Sequence, residues 1–415
     1  MSIRAPKGTD DILAPASRAW RQLIRMWDEL TERYGYDLII TPVFEATELF
    51  ARSGEGTDIV QKQMYTFSDK GGRSLTLRPE ATPSVMRAHQ HAGGGVRKSA
   101  SWGPMFRYER PQAGRRRQFY QLDAEYIGTA SPLADADVID LGYRYLIAAG
   151  LPDVSVIINS IGDGVCRPAY LDLLRSYLRA YEDRLCDDSR ARIETNPMRV
   201  LDCKVCAPVL TDAPSPVDNL CEPCMNHYRQ VKETLSVLEV PFEEDPHLVR
   251  GLDYYTRTAF EYVARDLDAA QNAVGGGGRY DGLSEAIGGP PIPAVGLALG
   301  LDRIVLARGV DEGAHALDVF VVSTGMWDET VKLTSDLRVK GFRVDYDPDG
   351  RTVKAQFKLA SKRSARCVLV VGDEWHKGAV TARNMATGDQ EEILIEEVAE
   401  WVRETARTGT RTQDR

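Results

Sequence analysis

The stretch MFRYERPQAGRRRQFYQLDAE, residues 105–125, sets Arg107, Arg110, Arg115, Arg116 and Arg117 into a chain whose formal net charge is −9. Arg107 and Glu109 lie two apart and so share one strand face, PQAG supplies turn residues, and Gln121, Asp123 and Glu125 share one face of the returning strand. Such a hairpin can offer guanidinium groups to an anion and acids to a cation side by side. The same charges also suit a solvated hairpin that binds nothing.

Three further stretches carry chemistry. In LVRGLDYYTRTAFEY, Arg250 precedes Gly251, so backbone can approach a ligand while a planar guanidinium reaches a phosphate or carboxylate through paired hydrogen bonds. Tyr254 and Tyr255 add hydroxyls and aromatic walls; packing plus a salt bridge would use the same residues. GGGGRYDGL and GLALGLDR fit neither a dinucleotide fingerprint nor a Walker A loop. Their glycines either turn the chain or clear space for a nucleotide whose phosphates Arg303 would reach. Cys203, Cys206, Cys221 and Cys224 form C-x2-C, fourteen residues, C-x2-C, the donor set and approximate spacing of a zinc ribbon. A closed structural zinc site is expected there, the alternative being four reduced thiols. Cys166, Cys186 and Cys367 read as ordinary thiols, and none of the six histidines shows a ligand or base pattern.

These residues need a scaffold. Trp20, Leu23, Ile24, Trp27, Leu30 and Tyr34 recur at helical spacing, and Gly35 ends that helix. YDLIITPVFE is predicted as a strand, as are SLTLRPE, FYQLDAEYIG and VSVIIN, whose alternation suggests a largely antiparallel sheet with one packed face. A helix is expected over 170–185 and an insertion over the Asp-, Pro- and Cys-rich 187–226. The glycine run 275–278 is expected as a loop, and strands alternating with helices from Asp318 predict a separate small α/β domain. With 415 residues, two or three domains are expected. No apolar run reaches the roughly 18–20 residues of a membrane span, and MSIRAPKGTDDILAP lacks the apolar core of a signal peptide. A cytoplasmic chain with no membrane partner is therefore expected, and the net charge argues against a nucleic-acid coat while leaving room for a local basic groove.

Together the stretches resemble a known family. YGYDLIITPVFE, FRYERPQAGRRRQFYQLDAE and PAVGLALGLDRIVLA are similar, in order, to the three motifs of class II aminoacyl-tRNA synthetases, and RGLDYYTRTAFEY and GGGGRYDGL to two blocks of the histidyl-tRNA synthetase family, bacterial type. The resemblance implies an α+β class II catalytic domain on an antiparallel sheet (1–165 and 246–312), an insertion domain at 166–245 and a C-terminal α/β anticodon-binding domain at 318–402, while the sequence of the end itself, TARTGTRTQDR, is expected to be a disordered tail at 403–415. It also implies a homodimer built on the first motif, for which a helix carrying Trp20 and Trp27 is suitable, although those side chains could equally be intramolecular core.

By the same resemblance, Arg107 bridges the ATP α-phosphate and the amino-acid carboxylate, Arg303 holds the γ-phosphate, and Glu109 joins the ATP site. Arg250 supplies positive charge at the α-phosphate, with Mg²⁺ on the outer phosphates. Glu80, Thr82 and Gln121 match positions that accept from the α-ammonium of L-histidine, Glu125 and Tyr255 would partner the imidazole nitrogens, and Tyr254 and Tyr280 shape the walls. Arg115, Arg116 and Arg117 would meet the acceptor stem of tRNA(His). Arg351, Lys354, Lys358, Lys362, Arg363 and Arg366 could track the anticodon arm or simply form a solvated helix face. The implied activity is histidine–tRNA ligation. The alternatives are a non-catalytic regulatory subunit of ATP phosphoribosyltransferase in histidine biosynthesis, which generally lacks the C-terminal domain, and a zinc-ribbon RNA-binding module without enzyme activity.

Overall fold

A computed structural model describes residues 3–54, 59–111, 114–249, 254–265, 272–310 and 317–410. The chain forms two compact units, 1–310 and 311–415. In chain order the strands of the first are β1 (Asp37–Leu38), β2 (Phe44–Ala46), β3 (Tyr65–Ser68), β4 (Ser74–Leu77), β5 (Arg97–Phe106), β6 (Gln118–Ile127), β7 (Val154–Ser160), β8 (Phe242–Glu244), β9 (Thr256–Ala264), β10 (Ala273–Arg279) and β11 (Ala294–Gly300).

Eight of these make one sheet in the order β1-β5-β6-β11-β10-β9-β7-β8. Its six central strands are antiparallel, and the two outermost, β1 and β8, pair in parallel. Alternation along β6 explains the layering. Leu122 and Ala124 turn into a core with Trp20, Leu23 and Trp27 from helix Ala16–Arg33, Leu141 and Tyr145 from helix Pro132–Ala148, and Val231 and Leu235 from helix Glu222–Val237. Gln121, Asp123 and Glu125 must then face the other way. Trp27 is fully buried and meets Tyr145 edge to face at 5.2 Å, so the tryptophans belong to the intramolecular core and are not free for a twofold contact.

Two sequence expectations change here. YDLIITPVFE does not form one strand: Asp37–Leu38 edges the large sheet, Phe44–Ala46 enters the three-stranded β2-β4-β3 sheet, and Pro42, which cannot donate, lies in the break. The glycine run is an inner strand, β10, between β9 and β11. A Cβ on Gly277 would overlap the Gly296 carbonyl and stand 2.6 Å from Phe260 Cζ, and one on Gly278 would stand 2.5 Å from Thr258 O and 2.8 Å from the Tyr255 ring. Glycine is needed there because neighbouring strands and an aromatic wall come too close for any side chain.

Helix Pro132–Ala148 is locked to the sheet by a buried ionic cluster. Arg279 at the end of β10 donates through Nε to Asp135 Oδ1 at 3.0 Å and through Nη1 to Thr129 O at 2.9 Å, while Asp135 Oδ2 is 2.6 Å from His227 Nε2. Burial pushes the Asp135 carboxyl up, but His227 and Arg279 outweigh it and leave it below the usual range. Removing one member would strand a buried charge, a loss of about 3–5 kcal/mol.

The second unit holds β12 (Leu317–Ser323), β13 (Val344–Tyr346), β14 (Ala365–Val371), β15 (Ala379–Asn384) and β16 (Gln390–Leu394) in the order β13-β12-β14-β15-β16, with helices Trp327–Val339 and Val353–Lys362 as crossovers. The final helix, Val398–Thr410, continues into the segment expected as a disordered tail, anchored by buried Val398 and Val402. Residues 411–415 lie outside the described residues. Among the described residues, no helix is long and apolar enough to cross a membrane.

Candidate active site

Four segments build one site on the face of the large sheet opposite helix Ala16–Arg33: β6, the end of β4 with the start of helix Thr82–His91, residues 254–255 before β9, and Tyr280 after β10. Glu80, Asp123 and Glu125 bring three carboxyls into it, each at least nine-tenths buried. Thr82 donates to Glu125 Oε1 at 2.6 Å and Tyr280 donates to Glu125 Oε2. Tyr254 donates to Glu80 Oε2 at 3.2 Å and packs against Tyr255 and Tyr280 at 4.9 and 5.8 Å between ring centroids.

The carboxyls are costly as they stand. Burial raises Glu80 to about 7 against the lowering effect of Arg107 and Tyr254. It raises Asp123 to about 8 despite Arg78, and Glu125 to about 8 despite the hydroxyls of Thr82 and Tyr280. Asp123 Oδ2 and Gln121 Oε1 are buried and find no hydrogen-bond partner among the described residues. Buried acceptors are normally satisfied, so the site is shaped for a donor-rich cation.

An anion site adjoins it. Arg107 follows β5 and is fixed by donation from Nε to Pro79 O at 3.0 Å and by the Phe119 ring, 5.1 Å from its guanidinium carbon. Arg303, on helix Leu301–Arg308, donates to Gly114 O at 3.3 Å and to Ala273 O. Burial lowers the Arg303 guanidinium from its ordinary value, as do Arg115 and Arg107, while Glu261 and Glu109 oppose the shift. Cations that repel one another beside two carboxylates suit a polyanion carrying a divalent metal ion.

The tip arginines are engaged within the protein. Arg115 is 3.9 Å from Glu109, Arg116 is 3.2 Å from both Asp10 and Asp302, and Arg117 lies over the Tyr108 ring at 4.1 Å. Arg250 lies outside the described residues. Of the expected imidazole partners, Glu125 is held by the hydroxyls of Tyr280 and Thr82, and Tyr255 is buried with its ring against Tyr254. Asp123 and the Arg78 that faces it were not assigned a role from sequence. The signal for Asp123 was present, since it is the middle of the i, i+2, i+4 triplet on β6.

The four cysteines of the expected ribbon are not brought together. Cys203 and Cys206 fold against Cys186, with Cys186 and Cys203 sulfurs 3.7 Å apart, whereas Cys221 and Cys224 meet Asp163 and Cys166. The first pair closes on the start of helix Asp187–Arg192, and the second opens helix Glu222–Val237, which packs on the sheet, so the fourteen-residue spacer separates the knuckles. Cys166 and Cys186, read as ordinary thiols, are members of these clusters.

The raised carboxyls predict a pH dependence. At pH 6 Glu80, Asp123 and Glu125 keep their protons and attract an ammonium poorly; as pH rises through about 7–8 they ionise, so KM for an α-ammonium substrate should fall. For the free protein the sign is opposite: the folded state holds protons that unfolded carboxyls release near 4, so stability falls as pH rises from about 4 and levels off above about 8. Glu80→Gln should flatten the KM profile around pH 7 and leave the change near pH 8; a wild-type KM unchanged between pH 6.5 and 8.5 would contradict this reading.

Comparison with known proteins bears on this geometry. A family model described as histidyl-tRNA synthetase matches residues 8–176 and 199–304, and one described as an anticodon binding domain matches 318–405. A histidine–tRNA ligase from Halothermothrix orenii is 46% identical over 414 residues, spanning 96% of this chain and 99% of its own length. One from Pelotomaculum thermopropionicum is 45% identical over 97% of this chain and 98% of its own. The crystal structure of apo S. aureus histidyl-tRNA synthetase superposes with a TM-score of 0.77 at 37% identity, covering 97% of this chain and all of that one. A Bacillus halodurans structure titled ATP phosphoribosyltransferase regulatory subunit/histidyl-tRNA synthetase, 22% identical with a TM-score of 0.66 over 89% of this chain and 98% of that one, shares the fold.

Proposed function

The chain belongs to the histidyl-tRNA synthetase family and its activity is histidine–tRNA ligation; on that premise we propose how its residues divide the reaction. The observation that carries the assignment is the buried triad Glu80, Asp123 and Glu125, with acceptors on Asp123 and Gln121 that have no partner among the described residues, beside the Arg107 and Arg303 guanidiniums. A molecule with an ammonium, an imidazole and a carboxylate fills the acidic half, and ATP fills the basic half.

Glu80, Thr82, Gln121 and Asp123 accept from the α-ammonium. Glu125, held by Tyr280, takes one imidazole nitrogen, and Tyr254 and Tyr255 close the walls. Arg107 lies between the two halves and draws the histidine carboxylate and the ATP α-phosphate together. The carboxylate oxygen then attacks the α-phosphorus, the bond to the bridging oxygen breaks, and pyrophosphate leaves with its charge held by Arg303; Glu109 and Glu261, which face Arg303, would hold a Mg²⁺ ion that would neutralise the outer phosphates. Arg250, by resemblance, adds positive charge at the α-phosphate. This chemistry is positioning and charge neutralisation, with no covalent enzyme intermediate. The 3′ hydroxyl of tRNA(His) then displaces AMP from the histidyl carbonyl.

The partners follow the same logic. Leu38, Ile40, Val43 and Phe44 are exposed in the broken first motif, Ile40 by 85%, and a second copy of the chain covers them in a homodimer. None of the seven cysteines forms a disulfide, in keeping with a reducing cytoplasm. Arg115, Arg116 and Arg117 exchange their internal partners for the acceptor stem. Lys354, Lys358 and Lys362 stand exposed at i, i+4, i+8 on helix Val353–Lys362, whereas Arg351 and Arg363 are paired with Asp349 and Asp345. Converting the three lysines to glutamine should raise KM for tRNA about tenfold and flatten its salt dependence, with pyrophosphate exchange unchanged. An unchanged KM for tRNA would remove this helix from the RNA surface.

The activity itself is tested by charging a total tRNA pool with each of the twenty amino acids. Histidine alone should be attached, and only to its own tRNA; attachment of another amino acid at a comparable rate would overturn the pocket assignment.

A further inference from the structure

Four metal-type donors converge at a place the ligase reaction does not use. Asp163 and Cys166, in the loop after β7, and Cys221 and Cys224, at the start of helix Glu222–Val237, bring one ligand atom each within 4.8 Å of one another. The loop reads D-G-V-C and the helix start C-E-P-C, two knuckles with the same two-residue spacer. Sulfurs on a tetrahedral zinc ion, each at about 2.3 Å, stand about 3.8 Å apart, so only a small contraction would seat an ion here.

The surroundings fit an ion as well as the donors do. The Asp163 backbone N–H points to Cys166 Sγ at 3.5 Å, and Cys166 Sγ lies 3.7 Å from Asp163 Oδ1. Arg257 Nη2 donates to Asp163 Oδ2 at 3.3 Å, orienting the carboxylate and offsetting the net −2 of three thiolates, one carboxylate and a divalent cation. Cys224 is fully buried and Cys166 nearly so, while Asp163 and Cys221 are half-buried, so the centre is sheltered on its inner side. Three thiolates and one oxygen select a soft-to-borderline ion such as zinc over magnesium or calcium. The other cluster, Cys186, Cys203 and Cys206, offers three donors and leaves one position open.

We propose that Asp163, Cys166, Cys221 and Cys224 bind a structural zinc ion that clamps the start of helix Glu222–Val237 to the loop bracing the substrate pocket. Binding displaces three thiol protons and changes no oxidation state. Arg167, just after Cys166, donates to Tyr255 O at 2.7 Å and to Gly162 O at 2.9 Å, and Ile161 and Gly162 pair through the backbone with Arg257. The ion therefore stiffens the segment that carries Tyr255. Its removal should raise KM for histidine several-fold and leave kcat less affected.

The test is metal content and cobalt spectroscopy on the full-length protein, purified without chelator and reconstituted with zinc or cobalt under reducing conditions. Cys166→Ser should lose one ion per chain that Cys203→Ser retains, and Asp163→Asn should weaken affinity about tenfold or more. Wild-type protein with cobalt should show tetrahedral d–d bands and a charge-transfer intensity of three thiolates per ion, a readout that stands even if a variant misfolds. The proposal fails if Cys166→Ser holds as much zinc as wild type. It also fails if Cys203→Ser and Cys221→Ser abolish the same ion, or if reduced wild-type protein takes up none.

Discussion

Arg107→Ala should slow histidyl-adenylate formation by about 10³–10⁴-fold in a single-turnover assay. One preorganised donor to developing charge is worth about 10²–10³ in rate, and a guanidinium that also aligns the nucleophile adds to that. The fold should survive, because among the described residues the side chain gives the structure one hydrogen bond, to Pro79 O, and a face on Phe119. Circular dichroism and a melting temperature within a few degrees of wild type would separate chemistry from folding. Arg107→Lys should recover little, since an ammonium cannot engage a carboxylate and a phosphate with two parallel bonds. Adenylate formation within tenfold of wild type in the folded alanine variant would remove Arg107 from the mechanism.

Gly296→Ala should be nearly as damaging from a position that touches no substrate. Gly296 pairs with Glu125 across β11 and β6, and a Cβ there would stand 2.6 Å from the Glu125 carboxyl carbon and 3.0 Å from Ala124 O. The carboxylate would have to leave the hydroxyls of Thr82 and Tyr280. Losing a charge-assisted bond to the imidazole, at about 1.5–3 kcal/mol, together with its alignment, predicts a fall of about 10²–10³ in kcat/KM for histidine. The effect should fall mainly on histidine-dependent parameters and spare KM for ATP. An equal loss in both would mean that the sheet itself had been disturbed.

Much of this site was legible because strand alternation fixes direction. Gln121, Asp123 and Glu125 share a face by spacing alone, and the structure sends Leu122 and Ala124 into the core behind them. Spacing also sufficed for helix Ala16–Arg33, where the apolar stripe is the buried face. The glycine run was not legible: local propensity reads four glycines as a loop, and only the closeness of Gly296, Phe260, Thr258 and Tyr255 makes them an inner strand. Arg279 was hidden for the same reason, since its partners Asp135 and Thr129 lie about 150 residues earlier. Cysteine spacing states how many donors a knuckle has, not which knuckle it meets. Both C-x2-C pairs found partners elsewhere, one of them a D-x2-C that was visible in the sequence.

The central claim is that the acidic pocket recognises histidine by pairing its α-ammonium and a nitrogen of its ring. Its most direct measurement is the ratio of kcat/KM for histidine to that for phenylalanine in pyrophosphate exchange without tRNA. A site built to pair a ring nitrogen should reject the ring that lacks it by about 10⁴ or more, because the buried Glu125 carboxyl would lose the ring N–H that completes its hydrogen bonding. That ratio is the predicted result; a ratio below about 10² would place the recognition of histidine somewhere other than Glu125 and the walls around it.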